Sequence, residues 1–156
     1  MTQHPAQHAA FTIERSFDAP PALVFRAFAD PAAKAKWFGG PNEWDKHRGA
    51  FEFRVGGRES ISGGPKGGTQ HKFDAVYQDI VPNARIVYSY SLELDDRRIS
   101  VSLATIEFVA SDKGTKLTLT EQGVFLDGYD DAGSREAGTR GLLEKLAAAV
   151  TEMASA

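Results

Sequence analysis

The sequence predicts an α+β fold: a curved antiparallel sheet of about six to seven strands wrapped around one long C-terminal helix, with two short helices after the first strand. Three observations carry this. Between Trp44 and Gly123 apolar residues recur with a period of two, interrupted by turn residues. From Asp130 onward the spacing changes to that of a helix, with Leu142, Leu143, Leu146, Ala149, Val150 and Met153 on one side and Arg140, Glu144, Lys145 and Glu152 on the other. Between Asp18 and Gly40 two helix starts follow one another before a glycine stop.

Taken in order, residues 1–10 are polar, alanine-rich and aperiodic, and are expected to form a flexible leader to a single domain over 11–156. "FTIERSF" then alternates, with Phe11, Ile13 and Phe17 on the buried side. Arg15 falls on that same side, a charge that needs an acid partner or an anionic ligand. Asp18 and the prolines open a first helix bearing Val24, Ala27 and Phe28; Asp30 caps a second, with Pro31 at its first position. Gly39-Gly40-Pro41 stops it. Strands are expected over "AFEFRV", "RESIS", "HKFDAVYQDI", "RIVYSYSLEL", "RRISVSLATIEFVA" and "TKLTLTEQG", joined by turns at "VPNA", "DD" and "SDKG". In the fifth of these the apolar parity shifts from Ile99, Val101 and Leu103 to Ile106 and Phe108, which predicts a bulge or a strong bend. The terminal helix should start near Asp130–Ser134.

A meander with one apolar face needs a cover, and the terminal helix is the only long amphipathic element available. A sheet this long must twist and curl, so the helix lies in a concave grip that can leave a cavity beneath it.

The bulk numbers exclude several functions. A net charge of −3 without a basic cluster argues against nucleic-acid binding. The chain has no cysteine, hence no disulfide, no thiolate chemistry and no cysteine-ligated zinc, which suits a reducing, cytoplasmic setting. No secretory signal is read in the first residues, and Leu142–Val150 is too short and too charged to insert in a membrane.

"VGGRESISGGPKGGT" raises the question of a phosphate loop. A P-loop places lysine and a hydroxyl directly after its last glycine, between a strand and a helix. Here Lys66 precedes Gly67-Gly68, Pro65 removes an amide, and a strand follows. The stretch is read as turns and a loop at the cavity rim, with Lys66 in solvent. Four histidines, none with a partner at ligand spacing in an element, predict no metal site, and no cofactor is expected. No G-x-S-x-G elbow occurs. Asp95-Asp96 and Asp130-Asp131 read as turn and cap residues. No catalytic residue is therefore assigned; Arg15, Arg54, His71, Tyr88 and Tyr90 are the only groups that could serve as acid or base in a cavity.

Aromatic residues are the remaining signal. Trp37, Phe38 and Trp44 flank the glycine stop, where a cavity mouth would sit, and Tyr88 and Tyr90 share one strand face, so that their hydroxyls need partners if buried. With Phe53, His71 and Leu143 they form the expected ligand-binding wall, apolar with a few polar handles.

The text resembles the START-like SRPBCC superfamily, and within it the bacterial homologues of the activator of 90 kDa heat shock protein ATPase. Arg15, Phe17, Ala19-Pro20, Val24-Phe25, Asp30-Pro31 and Trp37 match the family's opening in order. Glu52, Arg54 and Gly56-Gly57 match its acidic-x-arginine-x-G-G segment, and "GTKLTLTEQGVFLDG" and "REAGTRGLLEKLAAAV" its last strand and closing helix. Gly141-Leu142 stands where many members carry G-W, a change that would reshape the pocket. The resemblance covers residues 11–153 and implies the helix-grip (START/Bet v-like) fold. It also implies binding of a small hydrophobic ligand, such as a lipid, polyketide or flavonoid-like molecule, with a stress response as one setting for it. An aromatase/cyclase- or hydratase-like enzyme and a module stimulating a chaperone ATPase are the alternatives, and a homodimer is left open.

Overall fold

Turn chemistry and period-two patterning decide where the chain reverses in the computed structural model, which describes residues 3–156. Strand β1 (Ala6–Phe17) leads into helices α1 (Pro21–Ala29) and α2 (Pro31–Ala35). Strands β2 (Asp45–Phe51), β3 (Arg58–Gly64), β4 (His71–Val81), β5 (Arg85–Leu94), β6 (Arg97–Ser111) and β7 (Gly114–Leu126) follow, then helix α3 (Ala132–Ser155). The strands form one antiparallel sheet in the order β1-β7-β6-β5-β4-β3-β2, so the meander folds back until its last strand takes in the first. This is the helix-grip fold. Asn83 and Asp95 adopt φ values of 64° and 55° at the "VPNA" and "DD" turns, a conformation that short polar side chains tolerate.

The helices form where the caps stand. The Asp30 carboxylate accepts from Ala33 N at 3.0 Å, and Asp131 from Ser134 N at 2.8 Å. Leu143, Leu146, Ala149 and Val150 then bury one stripe of α3 in a core with Ile13, Phe17, Val24, Phe28, Ile106 and Leu117. Trp37 closes the core beside Phe28, ring centroids 4.9 Å apart, and its indole N–H donates to Ala27 O at 2.9 Å.

Three expectations need correction. Ala6–Ala10 are strand: they pair with Leu126 back to Gln122, because β7 runs far enough to offer its edge. Residues 1 and 2 of the expected leader lie outside the described residues. "AFEFRV" is not a strand of its own; β2 ends at Phe51, and Glu52 turns the chain by donating its N–H to Arg58 O at 2.8 Å while Arg54 N donates to Glu52 O at 2.9 Å. The parity shift in β6 has a different cause from a mid-strand bulge. Its inner face is Ser100, Ser102, Ala104, Ile106 and Phe108, all buried, while Val101 stands outward at 42% exposure. The irregularity lies at the strand's start, opposite Leu92 and Glu93. The inner positions there are polar because they face an arginine.

Candidate functional site

α3 and α2 do not lie flat on the sheet. Between them and β3–β7 is a cavity of about 450 Å³, within the ~300–1,000 Å³ usual for small-molecule sites. Its mouth opens between the loop from Gly39 to Trp44 and the first half of α3, where Ser134, Gly138 and Gly141 line it. A Cβ built on Gly138 or Gly141 meets nothing within 4 Å, so the absence of side chains there is what keeps the mouth wide.

Of the eight residues expected on a binding wall, Trp37, Phe38, Trp44, His71, Tyr88, Tyr90 and Leu143 line this cavity. Phe53 stands elsewhere: its ring packs edge-on against Phe25 at 5.7 Å and Tyr77 at 5.0 Å, on the core side of β3 and β4, because the turn at Glu52 aims it under α1. Trp44 and His71 stack at the mouth with centroids 4.6 Å apart. Burial pushes the His71 imidazole below its ordinary value, against the pull of Asp95. Gly40 is required beneath this stack, since a Cβ there would run into the Trp44 ring.

Arg15 is not part of the site. It reaches α3 and pairs with Glu144, which meets the need for an acid partner without a ligand. Arg54 is exposed and pairs with Glu52 at 3.1 Å. Lys66 is exposed as well, while Gly63 of the same glycine-rich stretch is buried on the cavity wall.

Two buried polar clusters reach the cavity's lining, the first through Lys34 and the second through Tyr90, Glu121, Asp130 and Arg135, and of their members only Tyr90 is expected there from sequence. In the first, Lys34 Nζ lies 2.6 Å from Glu59 Oε1 and 3.3 Å from the Tyr77 hydroxyl, which itself donates to Glu59 at 2.5 Å. The ammonium also sits over the Phe38 ring at 4.4 Å. Desolvation holds Lys34 below the ordinary lysine value despite the opposing attraction of Glu59. In the second, the Tyr90 hydroxyl donates to Glu121 at 2.8 Å. Arg135 donates to Tyr90 at 3.0 Å, Ser100 at 2.7 Å and Asp130 at 2.9 Å. Burial pushes the Glu121 carboxyl up, with Tyr90 and Arg135 opposing. The signal for both carboxylates is in the parity: Glu59 alternates with Ile61, and Glu121 with Leu117 and Leu119, so each points inward. Arg135 shares the α3 stripe with Thr139 and Leu143.

Tyr88 lies between the clusters, its ring 6.0 Å from Tyr77 and 5.8 Å from Tyr90. Burial, reinforced by Tyr90, Glu121 and Glu59, holds its hydroxyl well above the usual phenol value, so it stays neutral. It lines the cavity, and no hydrogen-bond partner among the described residues reaches it. Among the described residues no cluster of three histidine or acidic groups could hold a metal, and no helix is long and apolar enough to cross a membrane.

Residues 18–151 match the family of Activator of Hsp90 ATPase homolog 1-like proteins. The fold is shared at 45% identity with an uncharacterized protein from Rhizobium leguminosarum, over 97% of this chain and 99% of that one, with a TM-score of 0.89. The Mll3558 protein from Rhizobium loti is 47% identical over 93% of this chain and 99% of its own, with a TM-score of 0.83. An AHSA1-like protein from Aeromonas hydrophila, at 20% identity over 94% of each chain and a TM-score of 0.70, shares the fold alone. No curated protein matches the chain.

Proposed function

The chain belongs to the Activator of Hsp90 ATPase homolog 1-like family, and from that premise and its cavity we propose that it binds a small hydrophobic or aromatic molecule between sheet and terminal helix. Tyr88 carries the reading. A phenol hydroxyl surrounded by aromatic rings ordinarily finds a partner inside the protein. This one has none among the described residues and lines the cavity, where it offers a polar handle to a ligand's hydroxyl or carbonyl.

Binding is favoured over catalysis by how the other polar groups are engaged. Glu59 is held by Lys34 and Tyr77, and Glu121 by Tyr90, so neither carboxylate is free to move a proton on a guest. The walls are aromatic: Trp37, Phe38, Trp44, Tyr88 and Tyr90 offer flat faces to a flat or extended apolar body.

Thermal denaturation with a panel of lipids, polyketides and flavonoids tests this. A ligand at a hundred times its Kd should stabilise the fold by about 2.7 kcal/mol, and Tyr88→Phe should weaken those ligands that carry a hydrogen-bonding group. No shift across the panel at saturation, with stimulation of a chaperone ATPase instead, would overturn the proposal.

A further inference from the structure

The cavity mouth is charged in a way the interior is not. Inside, each charged side chain on the wall has an ion-pair partner: Lys34 has Glu59, and Glu121 and Asp130 share Arg135. At the mouth, Lys46 and Lys145 both line the opening, and no carboxylate lies within ion-pair distance of either among the described residues. Arg48 stands close by and is spent on the carbonyls of Ala35 and Phe38, at 3.2 and 3.0 Å, with no acid partner. Glu43 attracts Lys46 without pairing with it, and Lys36 and Glu152 on the adjoining groove neutralise each other at 3.0 Å. Two lysines thus line the opening with no ion-pair partner among the described residues, in a chain whose net charge is −3.

The placement of Lys46 is built into the backbone. Its stem runs beside Gly39 and Gly63: a Cβ at Gly39 would lie 3.8 Å from its Cδ, and one at Gly63 would lie 3.2 Å from its Cγ. The Lys46 stem thus packs against two glycines of the cavity wall. Partial desolvation of its ammonium, with Arg48 and Lys145 adding their repulsion, holds Lys46 below the ordinary lysine value. An anion between the two lysines would relieve that repulsion.

We infer that the ligand is an amphipathic anion, with its apolar or aromatic body against the Tyr88 wall and a carboxylate or similar group held at the mouth by Lys46 and Lys145. This rests on the cavity-binding reading above and adds the charge of the ligand and the residues that read it. The mouth position leaves the anion partly hydrated, so the lysines act through water-screened attraction and not through a buried pair. The chemistry is shared by fatty acids and by aromatic acids, which differ only in the body they present.

Matched pairs of probes separate these possibilities. Decanoic acid against decanol, and 2-naphthoic acid against 2-naphthol, would be titrated below micelle-forming concentrations while Trp fluorescence and Tm are followed at low salt. The acid should bind about tenfold more tightly than its neutral partner, as two exposed ion pairs allow. That preference should shrink with added salt and vanish in Lys46→Gln/Lys145→Gln, with binding of the neutral probe unchanged. Preference within the alkyl pair alone or the aromatic pair alone supports the inference and assigns the body. Equal binding of acid and neutral probe overturns the inference while the cavity reading stands. A preference that survives the double substitution overturns the assignment to these lysines. If no probe binds at all, the cavity reading falls with it.

Discussion

Gly138 and Gly141 sit well inside a helix that runs from Ala132 to Ser155, and neither has a backbone conformation or a close neighbour that demands glycine. Helix propensity alone should then govern Gly138→Ala/Gly141→Ala. Each replacement removes a residue about 0.8–1.0 kcal/mol less favourable than alanine in a helix interior, so the pair should stabilise by nearly 2 kcal/mol. For a chain of this size each kcal/mol moves Tm by about 2–4 °C, which gives an expected rise of about 4–8 °C in a calorimetric or circular-dichroism melt. A methyl group at either position meets no atom within 4 Å and is too small to close the mouth, so ligand affinity should change little. Gly138→Phe carries the argument further: its ring should occupy the mouth and weaken binding of any cavity ligand at least tenfold, with no loss of Tm. A double-alanine variant that melts at or below the parent temperature would refute the account of these glycines. Unchanged ligand affinity in Gly138→Phe would refute the placement of the ligand.

The buried clusters and the mouth histidine yield three more tests. Lys34→Met strands the Glu59 carboxylate inside the protein and should cost about 3–5 kcal/mol in chemical denaturation, while Lys34→Met/Glu59→Gln should recover most of it; a single variant costing under about 1 kcal/mol would contradict a buried pair. Because the folded pKa of Glu121 lies above its unfolded value, the folded chain holds the extra proton between the two. That contribution is present below the ordinary carboxylate range and is lost as pH rises through the folded value, so the stability of Glu121→Gln relative to the parent should improve with pH over that window. His71 has its folded pKa below the unfolded one. Its contribution is therefore lost as pH falls through the ordinary histidine range, and indole fluorescence should change with a midpoint below about 6.5. The transition should disappear in His71→Gln and in Trp44→Phe, and one that persists in both would place the titrating group elsewhere.

Much of the fold is legible in the sequence because its signals are local. Caps at Asp30 and Asp131, the glycine stop at 39–41, and the turns at Asn83 and Asp95 fix element boundaries through chemistry within a few residues. The exceptions depend on partners distant in sequence. Ala6–Ala10 are strand because β7 extends to Leu126, and no pattern in those residues announces it. Ser100 and Ser102 look outward by polarity, yet they face inward because Arg135 arrives from the terminal helix. The apolar wall of the site, from Trp37 to Tyr90, can be named from its aromatic residues alone. Lys34, Glu59, Glu121 and Arg135 cannot be named as a site by composition, although strand parity already places the two carboxylates on the inner face.

Those four residues also account for the cavity itself. Arg135 reaches from α3 to β5 and β6, and Lys34 from α2 to β3, each as a long side chain ending on fixed acceptors of the sheet. Apolar side chains in these positions would let the helices settle on the concave face until the gap closed, since dense packing is favoured wherever no polar group must be satisfied. A guanidinium and an ammonium with committed partners cannot be compressed in this way without losing hydrogen bonds that closer apolar packing does not replace. The two clusters stand on either side of Tyr88 and prop the helix layer off the sheet there. The far half of α3, with Leu146, Ala149 and Val150 buried, has no such prop and packs down. The cavity therefore lies where the polar pairs are, and the unpaired hydroxyl of Tyr88 lies between them.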